Sequence, residues 1–339
     1  MTPSADIKKL QRNYIPDTFA ITDWESLQPF FEELSAREIL TRDALENWLK
    51  DISEVQSVIS EDACWRQIRM TCDTENKELE EAFSFFCLEI EPKIKPYNDV
   101  LNKKLIASPF IKELDQNTYY TYLRGVEKEI KLFTEKNIPI HAEIAILAQH
   151  YGTITGKMSV EIQGTEYTLQ QAATFLMQSD RELRKEVYTK INERRQVDEV
   201  ALNNLFDELV AKRHQIAINA GFENYRDYKF EELGRFDYTV KDCEDFHDSI
   251  KKYITPIVEN FYEHKRNQLG LNELMPYDID AEPEGQKPLK PFKNGEELLE
   301  KSIQAFSNLR PYFGECLRKM KDRKSVADEQ MASAEGKEC

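Results

Sequence analysis

Glycine is scarce in this chain, with 11 in 339 residues. A chain so short of turn-formers and 32% charged suits long solvated helices better than a turn-rich β protein. The expected fold class is therefore mainly α. Helices are expected at 23–36, 43–59, 61–72, 75–105, 118–136, 140–152, 168–178, 180–220, 224–232, 239–267, 295–306 and 308–321. The only convincing strands are Met158 to Ile162 and Glu166 to Thr168. There Met158, Val160 and Ile162 alternate and Gly164 supplies the turn of one small β-hairpin near 158–168. A lone hairpin is marginal in water, so it must pack on helices or pair with another edge. Pro276 to Phe292 holds four prolines and Gly285 and is the one long irregular connection. No repeat of fixed period is visible.

At 40% hydrophobic the chain can bury a sizeable core, and its length permits about two domains. Mean hydropathy is -0.64, and no apolar run approaches the roughly 18 residues that span a bilayer. The first twenty residues lack the apolar stretch of a signal peptide. A cytoplasmic location with no membrane partner is the expectation. Cys64, Cys72, Cys87, Cys243, Cys316 and Cys339 include no C-x-x-C pair and are expected to be structural thiols rather than a disulfide framework. A net charge of -16 argues against nucleic acid, whose phosphates are held by clustered lysine and arginine.

The run from Arg213 to Tyr238, RHQIAINAGFENYRDYKFEELGRFDY, is dense in aromatics and charges. It begins as the end of a long amphipathic helix carrying Leu202, Phe206, Leu209, Val210, Ile216 and Ala217. Gly221 is expected to stop that helix in a left-handed cap, with Phe222 folding back over the final turn. A shorter helix follows from about Asn224, a good N-cap, and Gly234 closes it. Asn224, Tyr225, Arg226, Asp227, Tyr228, Arg235, Asp237 and Tyr238 would suit either a buried polar network or the lining of a cleft.

This run closely resembles the corresponding segment of the family M3 zinc metallopeptidases, in the oligoendopeptidase F branch. Further matches run in order: Gly156 to Leu176 and Asp180 to Arg195 resemble the family's hairpin-then-helix segment. Met275 to Phe292 and Pro311 to Met320 resemble its next landmarks, and the resemblance extends from about Asn13 to about Asp322. It implies the multi-helix lobes of a zincin-type oligopeptidase, enclosing short peptides in a deep channel. It also implies a His-Glu-x-x-His helix whose two histidines bind zinc while the glutamate activates water. This chain has no such motif. His141, His150, His214, His247 and His264 are followed by AEIA, YGTI, QIAI, DSIK and KRNQ. In the family the zinc helix lies downstream of the segment that ends here at Asp322, and the following RKSVADEQMASAEGKEC is unlike it. Truncation or a reading-frame change after Asp322 is the expectation.

The expected organisation is an N-terminal helical lobe with the hairpin over 1–195, a helical approach to the catalytic domain over 196–322, and an atypical tail over 323–339. No catalytic or metal residue is expected in this chain, no zinc is expected bound to it, and the substrate class implied is short peptides. Three small motifs fall short of the chemistry they suggest. Gly152 to Lys157 has too short a spacing for a phosphate loop, Glu244-Asp-Phe-His247 is one copy of a motif that needs two, and His141-Ala-Glu143 lacks the cysteines of a deaminase. The alternative to a peptidase is a non-catalytic helical scaffold that binds peptides or a partner. A helical metal–carboxylate protein is a third.

Overall fold

The computed structural model of the chain describes residues 12–322 apart from 74, 75, 284, 286–288 and 290. The tail expected over 323–339 lies outside the described residues, as does part of the irregular stretch between Pro276 and Phe292. In chain order the helices are α1 (Trp24–Ala36), α2 (Arg42–Cys72), α3 (Lys77–Phe85), α4 (Glu91–Ile106), α5 (Gln116–Leu132) and α6 (Asn137–Gly156). The hairpin β1 (Ser159–Ile162) and β2 (Thr165–Thr168) follows, then α7 (Leu169–Ala173), α8 (Arg181–Val197), α9 (Glu199–Asn219) and α10 (Tyr225–Glu232). The last helices are α11 (Val240–Ser249), α12 (Thr255–Gln268), α13 (Gly295–Leu309) and α14 (Pro311–Asp322). The chain is mainly α with one two-stranded antiparallel sheet among the described residues.

Contacts divide the described residues into two compact units, 12–157 with 198–255 and 158–197 with 256–322. In the first unit the core is built from helical stripes. Trp24, Leu27, Phe31 and Leu34 of α1 meet Leu45, Trp48, Leu49, Ile52, Val55 and Val58 of α2, and both pack on Ile94, Leu101 and Leu105 of α4. Burying a side chain of the size of Trp48 stabilises by about 2 kcal/mol or more. Its indole nitrogen keeps a partner by donating to the Leu34 carbonyl at 2.9 Å. Lys104 caps the end of α1, donating to the carbonyls of Leu34, Ser35 and Arg37, where a cation also answers the helix dipole. At the chain's entry Glu54 accepts from the amides of Asn13, Tyr14 and Ile15. Burial opposes its ionisation, but the three amides outweigh burial and hold its carboxyl below the usual range.

A second cluster in the same unit joins α5, α9 and α10 through Leu132, Ile216, Ala217 and Tyr228, with Ile140 and Ile144 of α6 packed against it. Several expected helices differ in form: the one expected over 180–220 divides at Asp198 into α8 and α9, and the one expected over 239–267 carries a π-helical turn at Ile250–Ile254. The break expected near residue 60 is absent, because no glycine or proline interrupts 42–72. The helix expected over 75–105 instead contains a π-helical turn at Phe86–Ile90, where the Glu91 amide reaches back to the Phe86 carbonyl. Pro92 and Pro96 follow, and neither has an amide to donate to the helix ladder.

In the second unit the hairpin pairs Ser159 with Thr168 and Ile162 with Thr165. Gln163 and Gly164 both take positive φ, 53° and 81°, the primed turn whose twist matches that of the strands. Val160 and Ile162 are buried, and β1 packs against α7 and α8. Lys190 of α8 also donates to the Glu161 carbonyl at 2.9 Å. Arg184 of α8, 2% exposed, meets Asp278, 0% exposed, at 2.7 Å. Arg181 adds a second bridge at 2.9 Å, and the Met275 amide donates to the same carboxylate. Although burial works against the charge, these donors hold Asp278 below its usual pKa. The clasp fixes the short turn at Pro276–Asp278 to α8.

Candidate functional site

The run from Arg213 to Tyr238 is built as two capped helices. α9 ends where the Phe222 amide bonds the Ala217 carbonyl at 2.9 Å and Gly221 takes φ +83°, the glycine-dependent left-handed stop. Asn224 then caps α10 by accepting from the Asp227 amide at 3.0 Å. The second stop repeats the first, with Arg235 bonded back to Phe230 and Gly234 at φ +63°. Tyr228, 3% exposed, packs edge-on to Phe222 and stacks with Tyr225. Its burial, followed by the nearby Glu232 carboxylate, pushes the phenol pKa up. Arg226, Arg235, Asp237 and Tyr238 are exposed. Arg226 pairs with its neighbour Asp227, and Arg124 of α5 bridges to Asp237 at 3.4 Å while lying over Phe236.

Two residues of this run, Tyr228 and Glu232, reach a polar cavity of about 230 Å³ inside the first unit. Lys95, Asn98, Asp99 and Asn102 of α4, Glu129 of α5, and Asn137 and His141 of α6 complete its polar wall. Asn137, 3% exposed, donates to the Ile216 carbonyl at 3.0 Å and accepts from Asn219 at 2.9 Å. This ties the N-terminus of α6 to α9. Lys128 holds the Glu232 carbonyl at 3.0 Å and the Glu129 carboxylate at 2.9 Å. Asp99, 8% exposed, binds Lys103 through Oδ2 at 2.6 Å. Its Oδ1 and the Oδ1 of Asn98 are buried with no protein partner. Burial, then the Lys95 charge, keeps His141 below its usual pKa, so the imidazole is neutral near pH 7. The wall therefore offers carboxylate and amide groups, the Lys95 ammonium and a neutral imidazole. The α4 residues were not singled out from sequence. Their signal is the spacing of Lys95, Asp99 and Asn102, one helical face.

The discounted motifs stay apart from this cavity, except His141. Gly152 to Gly156 forms the last turns of α6, so no phosphate-type loop exists there. Glu244 and His247 lie exposed on α11, with Arg226 4.0 Å from Glu244. His150, His214 and His264 are exposed. Among the described residues no three His, Cys, Asp or Glu side chains come together as metal ligands, so the residues present do not fit a zinc ion. No helix among them is long and apolar enough to cross a membrane.

The model of the peptidase M3 N-terminal domain matches residues 17–133, and that of peptidase family M3 matches 174–309. The chain belongs to peptidase family M3. Solved structures share the M3 fold. PZ peptidase A, solved with an inhibitor, is 24% identical with a TM-score of 0.82, over 88% of this chain and 53% of its own. An X-ray structure of a protein provisionally assigned as oligoendopeptidase F is 25% identical with a TM-score of 0.82, over 89% and 54%. A protein with the same provisional assignment, from Bacillus anthracis str. Ames, is 21% identical with a TM-score of 0.80, over 88% and 55%. This M3 chain thus spans about half the length of these structures. No curated protein sequence matches it.

Proposed function

We propose that this chain is part of a metallo-oligopeptidase of the oligoendopeptidase F type, supplying helical walls to an enclosed channel that admits short peptides and excludes folded proteins. The observation that carries this reading is the ordered match of the two M3 models along the chain. PZ peptidase A, of the same fold, binds an inhibitor in its structure. On this reading residues 1–195 are the N-terminal lobe and 196–322 the approach to the catalytic part, working in the cytoplasm. Zinc belongs to the complete enzyme. The 339 residues contain no His-Glu-x-x-His and their described donors do not fit the ion, so we assign no bond-breaking step to this chain. Its contribution is shape: walls that orient a peptide and keep out water. The test is elemental analysis for zinc together with turnover of a quenched oligopeptide by the purified chain. We expect neither tight zinc nor cleavage, and stoichiometric zinc with turnover would overturn the reading. The second reading, a non-catalytic scaffold for a partner, is favoured by the exposed apolar side chains of Phe246 in α11, of Ile250, Tyr253 and Ile254 in the π-helical turn that follows, and of Ile257 and Phe261 in α12. A monodisperse species in light scattering supports it, and aggregation counts against it.

A further inference from the structure

The cavity among α4, α5, α6 and α10 has a wall that core packing does not require. Lys95, Asn98, Asp99 and Asn102 fall at i, i+3, i+4 and i+7, so one face of α4 meets the space with polar side chains alone. Ile94, Leu101 and Leu105 of the same helix are buried in the core. At about 230 Å³ the space is far larger than one water needs. Two oxygens in its wall lack a hydrogen bond, Oδ1 of Asp99, a residue 8% exposed, and Oδ1 of Asn98. A buried acceptor left without a donor is costly, and more so on a carboxylate. Both oxygens are shielded, but the last torsion of Asn and Asp side chains is broad, so a small turn presents either one to a guest. The charges around them are paired: Lys95 with Glu91 at 2.8 Å, Glu129 with Lys128 at 2.9 Å, and Glu232 with Lys229. Lys103 takes the Oδ2 of Asp99 and leaves its Oδ1 unmet. What the wall lacks is a donor.

We propose that this cavity binds a small primary amine in its ammonium form, which donates to Asp99 Oδ1 and Asn98 Oδ1 while its carbon chain lies against Leu132 and Phe133. Both apolar side chains line the same space. An ammonium carries three donors, and a hydrogen bond from a cation to a carboxylate is about twice as strong as a neutral one. His141 in the same wall offers a neutral ring nitrogen as a further acceptor. A net charge of -16 also favours the approach of cations over anions. A metal ion is a poorer occupant, since among the described residues no three His, Cys, Asp or Glu side chains come together. The site lies within one unit of the chain and is independent of the peptidase reading.

The experiment titrates the full chain with n-butylamine by calorimetry at about pH 7.5, where the amine is charged, beside butyramide, butyrate and the dipeptide Ala-Ala. The proposal expects saturable one-to-one binding of the amine, with each of the other three weaker by about tenfold or more. Asp99→Asn is expected to weaken the amine by about tenfold or more, while Glu244→Gln, at an exposed position on α11, leaves it unchanged. A thermal melt checks that each variant folds. NMR of the unaltered chain keeps the test open should Asp99→Asn fail to fold. There the imidazole signal of His141, assigned by its loss in His141→Gln, is expected to shift at saturation while those of the exposed His150 and His264 stay in place. No saturable binding of the amine, an equal or tighter affinity for butyramide or Ala-Ala, an amine affinity unmoved in folded Asp99→Asn, or a stationary His141 signal would each overturn the proposal.

Discussion

Arg184 and Asp278 are a buried ion pair whose partners are 94 residues apart in sequence. Truncating one member of such a pair strands the other in a poorly solvated place, so Arg184→Ala should cost about 3 kcal/mol of stability in a denaturant titration. Arg181 contacts the same carboxylate with a side chain 39% exposed, and its loss should cost about 1 kcal/mol. Equal losses at the two positions would show that burial is not what makes the clasp matter. His141 gives a pH-dependent counterpart. Burial and Lys95 depress its pKa in the folded state, so on acidification the unfolded chain takes up this proton first. Stability from this residue is fully present above the unfolded value and declines below about pH 6.5. In His141→Gln the fall in unfolding midpoint between about pH 7.5 and about pH 5.5 should be smaller than in the parent chain. An unchanged fall would show that the imidazole is not the responsible group.

At the scale of the element, α11 stands on its own cap. Thr239 accepts from the Asp242 amide at 3.2 Å, and Asp242 returns the bond to the Thr239 amide at 2.7 Å. With no buried residue in α11, Thr239→Ala should cost the helix about 1 kcal/mol. Amide exchange across 240–249 should quicken, while that of α2 stays as it was. Caps of this kind were legible in the sequence: Asn224, Gly221 and Gly234 act where their chemistry says they must, as does Gly164 in the hairpin turn. The π-helical turns were not legible, because widening a helix by one residue leaves its apolar period nearly intact. Nor was the polar cavity. Lys95, Asp99 and Asn102 share a helical face, but a polar stripe in sequence reads the same whether it meets solvent or three other helices.

For the whole molecule, what sequence could reach was the family, since landmarks in fixed order survive where overall identity to solved relatives is 21–25%. The layout of the two units was less accessible, because each is assembled from separated stretches of chain that no local signal marks as partners. That layout has a consequence for synthesis. The first unit needs 198–255 to meet 12–157, so a chain emerging from the ribosome holds Leu132 and the N-terminus of α6 without Ile216, Ala217 and Tyr228 until some hundred further residues have been made. At about 5–20 residues per second, the apolar patch on α5 and α6 stays bare for several seconds, which makes it the segment a nascent-chain chaperone would have most reason to cover.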